Sequence, residues 1–83
     1  MENAKNNDEA AREWDVLCEV LRDQDPKEAA HALDVRMSDA GMAAIMGMSV
    51  AMLLVAVKEK RGALLGMLKQ FYVTAYEEMD SFP

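Results

Sequence analysis

Cysteine occurs once in this chain, proline twice and glycine four times, and aromatic residues fill only 6% of its 83 positions. The single thiol, Cys18, excludes an internal disulfide and gives no sign of an oxidising compartment. Gly and Pro are few and fall at punctuating positions. Positive charge is scarce as well: 9 Lys and Arg stand against 15 Asp and Glu, a net charge of -6. The basic footprint of a nucleic-acid-binding protein is therefore missing, and no direct nucleic-acid contact is expected. The opening residues, MENAKNNDEAAREW, lack the basic and apolar regions of a secretory signal, so a cytoplasmic location is the default expectation.

Apolar residues, by contrast, make up 52% of the chain, and with so few aromatics that surface comes mostly from Ala, Met, Leu and Val. Ala, Leu and Met are strong helix formers, which makes the expected fold all-α. At this length a single core rarely supplies more than about 3–5 kcal/mol of net stability, so extra burial through self-association would help. The expectation is one domain over residues 1–83, frayed at 1–6 and 80–83, built as a small helical bundle of three or four helices completed by dimerisation. Charge is uneven along it. Residues 1–40 hold eleven acids and five bases, residues 41–83 four of each, so the whole net charge lies in the first half.

Local signals divide the first half. Asn6 or Asn7 can cap a first helix, with Asp8 and Glu9 against the positive end of its dipole. Its apolar stripe is Ala10, Trp14, Leu17 and Leu21, with Cys18 and Val20 at the edges, and the opposite face carries Asp8, Arg12, Asp15, Glu19, Arg22 and Asp23. Asp25, Pro26, Lys27, Glu28 then places an Asp at the cap, a Pro at the first helical position and a Glu two residues later, the pattern of a capping box. A short helix from Pro26 to about Val35 follows, burying Ala29, Ala32, Leu33 and Val35. Ser38 can cap a third helix.

Beyond Ser38 the pattern supports two architectures. Lys58, Glu59, Lys60, Arg61, Gly62 has the cations of a last helical turn and a Gly suited to the left-handed conformation after it, which favours a hairpin. Yet Val50, Val57, Leu64 and Phe71 keep a seven-residue spacing straight through Gly62, which a single helix from Ser38 to about Glu78 would satisfy. A helix that long could not be covered by one chain of this size. The final EEMDSFP is expected to fray, its acids being badly placed for a helix end, with Phe82 in a loose tail.

Within this region Gly41 to Val57 carries no charge. A membrane-spanning helix needs about 20 apolar residues, and this run is shorter and rich in Ala, Gly, Ser and Met, so a buried helix is expected before an inserted one. Ala43, Gly47 and Ala51 recur every four residues, as do Gly62 and Gly66, rows that let backbones approach closely. The large apolar residues between them surround the helix almost completely, and the first two helices offer too little to cover it. A second copy or another protein is the natural cover. The expected interface residues are Ala43, Gly47, Val50, Ala51, Leu54, Val57, Leu64, Leu68 and Phe71.

Chemistry is sparse. Met42, Met46, Met48 and Met52 are soft ligands at helical spacing, but no His, Cys or acidic ligand is interleaved, so they read as adaptable packing and no metal or other cofactor is expected. Cys18 and His31 are the only nucleophile and base pair, and a thiol beside an apolar stripe is usually inert. The expected function is a non-catalytic protein–protein interaction module, a small regulator, adaptor or inhibitor acting as a helical homo-oligomer or on an unidentified protein partner. Two alternatives are an acidic inhibitor occupying a basic nucleic-acid-binding groove, and a small membrane protein with residues 41–57 inserted.

Overall fold

The computed structural model describes the backbone of residues 2–80 and the side chains of residues 8–79. Among the described residues the chain is all-α, with five helices: α1 (Glu2–Asp23), α2 (Pro26–Arg36), α3 (Asp39–Met46), α4 (Val50–Lys58) and α5 (Gly62–Asp80). Helix α1 begins at Glu2, ahead of the expected cap at Asn6 or Asn7, because no Gly or Pro interrupts the stretch. Residues 81–83, and with them Phe82, lie outside the described residues.

The two capping expectations hold. Asp25 accepts a hydrogen bond from the backbone N–H of Glu28 at 3.1 Å, with Pro26 opening α2, and Ser38 accepts one from the N–H of Gly41 at 3.1 Å to start α3. Each satisfies a donor that the first turn of a helix leaves unpaired. Val35, expected to be buried, is 69% exposed on the outer side of α2. Only Ala29 and Leu33 of α2 are buried, with Ala32 packed beside them.

The apolar second half is broken twice, and this is where five helices replace three or four. At the first break Gly47 ends α3, the N–H of Met48 bonds to the carbonyl of Ile45 at 2.9 Å, and Ser49 caps α4 by accepting from the N–H of Met52 at 3.3 Å. Helices α3 and α4 meet at 97°. The bend turns Ala44 and Ile45 on one side, and Leu53, Ala56 and Val57 on the other, into one shared core, which a straight helix in so small a chain could not do.

The second break lies near Gly62, so the single helix from Ser38 to Glu78 does not form and the seven-residue spacing is not a continuous seam. The left-handed residue is Lys60 (φ 54°), and Gly62 instead opens α5. The N–H of Arg61 reaches back to the carbonyl of Ala56 at 3.0 Å and that of Lys60 to Val57 at 3.4 Å, the paired bonds of a Schellman turn. Lys58 Nζ donates to the carbonyl of Arg22 at 3.0 Å, occupying an acceptor at the end of α1 that has no partner within its own helix.

Helix α5 is the centre of the fold, packing against α1, α3 and α4, while α1 also meets α2 and α4. Ala10, Trp14, Leu17, Val20 and Leu21 supply the α1 side of the core. Val20, expected at an edge, is fully buried because α1 is covered from several directions. Leu68, Tyr72 and Tyr76 recur every four residues on the buried side of α5, and Trp14, Tyr72 and Tyr76 form a row of tilted rings with centroids 5.5 and 6.0 Å apart.

Candidate functional site

Two features stand out from this packing. One is a polar clamp. The Glu13 carboxylate accepts the backbone N–H of Ser38 at 2.8 Å, the Ser38 hydroxyl at 2.8 and 2.9 Å, and the Tyr76 hydroxyl at 2.6 Å. It thereby ties α1 to the α2–α3 connection and to α5, joining residues 25 and 63 positions apart in the chain. Charge-assisted bonds of this kind are about twice as strong as neutral ones. Burial first, and then the bond to Glu13, push the Tyr76 hydroxyl up to about 12.

Gly41 completes the clamp. A Cβ there would run into Glu13 Oε1 and would lie 2.9 Å from the Tyr72 hydroxyl oxygen and 3.0 Å from Met37 Cε, so only Gly permits this approach. The Tyr72 hydroxyl itself is buried without a hydrogen-bond partner among the described residues, and burial together with the Glu13 charge raises its pKa further. Such an orphaned hydroxyl costs stability, typically about 1–3 kcal/mol. In this arrangement Ser38 acts as a helix cap held by a carboxylate.

Cys18, the thiol singled out in the sequence, is half-buried. Burial first, and Asp15 second, push the Cys18 thiol up to about 11, so it is protonated at neutral pH. The charges acting on it are those of Asp15, Arg22 and Lys69, not His31, which is exposed on α2. Among the described residues no three His, Cys, Asp or Glu side chains gather where they could hold a metal ion. The four methionines do not converge either: Met48 and Met52 line a common groove, while Met46 is 84% exposed beyond its end.

That groove is the second feature. Gly47, Met48, Ser49 and Met52 of the α3–α4 corner form one side, Met67, Phe71 and Ala75 of α5 the other, and the buried Ala44 and Leu68 the floor, around a volume of about 330 Å³. Phe71 is 62% exposed and Met52 and Met67 nearly half so. No charged residue lines it; the Ser49 hydroxyl is its only polar side-chain group.

The structure sorts the nine expected interface residues into three groups. Val57 and Leu68 belong to the chain's own core, since the bends fold them inward. Ala43, Leu54 and Leu64 are half-buried, and Gly47, Val50, Ala51 and Phe71 are exposed. Gly47 and Phe71 share the groove, whereas the rest are spread along α3, α4 and α5. The glycine rows do not mark close backbone approaches: a Cβ at Gly62 or Gly66 would meet nothing within 4 Å, and one at Gly47 only Ala44 O at 3.7 Å. The close approach is at Gly41, which no four-residue row singled out.

Sequence reasoning missed the clamp because its members carry no local signature. A Gly two residues before a Ser inside an apolar run was the available signal for the corner that builds one wall. No single helix among the described residues is long and apolar enough to cross a membrane; only α3 and α4 taken together reach that composition, across their 97° bend. No known protein family, curated protein or solved structure matches this chain.

Proposed function

We propose that this protein is a non-catalytic interaction module, a small cytoplasmic regulator, adaptor or inhibitor that works by presenting the methionine-lined groove between the α3–α4 corner and α5 to another protein surface. The observation that carries this reading is the apolar exposure of Met52, Met67 and Phe71 around one concave, uncharged groove. Isolated exposed apolar side chains need no explanation, whereas a continuous patch of them marks an interaction surface. Methionine suits such a surface, being flexible and polarizable enough to repack against a partner.

The acidic-inhibitor reading has weaker support. Asp15, Glu19 and Asp23 are exposed on α1, but Arg12 and Arg22 share that helix, and Arg36 lies 3.9 Å from Glu19. A spanning helix over residues 41–57 has less support still, because the segment folds as two short helices that share a core with α1 and α5.

A photo-crosslinking amino acid placed at Phe71, with a matched one at the exposed Val35 of α2 as control, tests the proposal in cells. Protein adducts from position 71 and not from 35 are expected. Equal yields at both positions, or none at 71, would refute it.

A further inference from the structure

We infer that the partner of this groove is a second copy of the same chain, docked about a twofold axis so that each copy's Phe71 seats on the other's Gly47 turn beside Met46. This rests on the groove being the interaction surface, and names its occupant. The first support is charge. The whole net charge of -6 lies in residues 1–40, while residues 41–83 balance four acids with four bases and residues 41–57 carry none. Two copies meeting through α1 and α2 would bring like charge together; meeting through the groove, they bring together a lining that carries no charged residue.

The second support is shape. A twofold interface must be complementary to itself, so a knob and a hole have to sit on the same patch. Here they do: Phe71 projects at one wall with 62% of its surface exposed, and at the other wall Gly47 leaves a place without a side chain, where an added Cβ would meet only Ala44 O at 3.7 Å. An uncharged lining also gives a foreign amphipathic helix little to fix its register, whereas a symmetric pair repeats one shape match twice.

The test is multi-angle light scattering of the purified full chain in detergent-free buffer, from low micromolar to near-millimolar concentration, on wild type, Phe71→Glu and Gly47→Glu. Both substitutions leave the monomer intact, since Phe71 is exposed and Gly47 (φ -84°) has an ordinary backbone conformation with room for a side chain; far-UV circular dichroism and melting confirm this for each. The expected result is a dimer for wild type, and dimerisation weakened at least about thirty-fold by either change, as for central interface residues. Val35→Glu should leave the mass unchanged.

A monomeric wild type across the range overturns the inference, as does a dimer indifferent to both substitutions, or a chain that is dispersed only by detergent. The two readings fail separately. A monomer whose position 71 crosslinks to a different protein removes the second copy and leaves the interaction groove standing, and a monomer with no adduct removes both.

Discussion

Tyr76 and Tyr72 sit one helical turn apart on α5, both buried, and the structure assigns their hydroxyls opposite effects on stability. The Tyr76 hydroxyl donates to Glu13 at 2.6 Å, while the Tyr72 hydroxyl has no partner among the described residues. Tyr76→Phe removes a bond to a charged acceptor, worth about 1.5–3 kcal/mol. Glu13 is half-buried and keeps both Ser38 donors, so the loss belongs at the lower end, about 1.5 kcal/mol. For a domain of this size that lowers Tm by about 6–12 °C. Tyr72→Phe instead deletes an oxygen whose desolvation nothing offsets, at the cost of a void the size of a hydroxyl. Its Tm is expected to stay level or rise by a few degrees.

Urea titrations of both variants, followed by circular dichroism and by the fluorescence of Trp14, the only tryptophan, measure the difference directly. Trp14 is buried with its ring 5.5 Å from that of Tyr72, so it reports on this region of the core. Midpoints should move in opposite directions, or only for Tyr76→Phe, with unchanged slopes. Combining Glu13→Gln with Tyr76→Phe should show positive coupling, because the two changes remove the same bond. The clamp is refuted if Tyr72→Phe proves the more damaging change, or if the Glu13 and Tyr76 substitutions add independently.

Three further outcomes follow from the same geometry. Gly41→Ala should destabilise by about 1–3 kcal/mol because its Cβ collides with the clamp, although Gly66→Ala, with open space around it, should stabilise by about 0.5–1 kcal/mol; denaturant midpoints that shift the same way in both would overturn this account. Lys60→Gly should raise stability by about 1 kcal/mol, since Lys60 holds a left-handed conformation that glycine adopts without strain, and an unchanged midpoint would count against the Schellman turn. In alkaline solution the neutral form of Tyr76 is favoured by folding, so its stabilising contribution is complete below about pH 10, the unfolded value, and disappears as pH rises through about 12. Tyr72 shifts in the same direction. Phenolate absorbance should therefore rise together with loss of circular dichroism, and a rise near pH 10 in a folded protein would contradict the burial of both rings.

Much of the architecture is readable in the amino-acid order wherever one residue and its near neighbours suffice. Asp25 with Pro26, and Ser38, start helices because their side chains reach donors three positions away, a purely local interaction. The stripe from Ala10 to Leu21 follows from helical periodicity, and the scarcity of Gly and Pro with the abundance of Ala, Leu and Met determines an all-α chain. Even the cations before Gly62 correctly announced an ending, although the left-handed turn falls on Lys60.

Tertiary structure decided what depends on distant residues meeting. The spacing of Val50, Val57, Leu64 and Phe71 is equally compatible with a coiled-coil seam and with two packed helices, and only the bends at Gly47 and near Gly62 make Val57 core while leaving Phe71 exposed. Likewise nothing near Glu13 announces Ser38 or Tyr76, because a carboxylate chooses donors by proximity in space. The sequence alone determined how much apolar surface the chain carries. Which part of it the chain buries itself, and which part stays exposed along the groove, follows from how the five helices of the described residues share one small core.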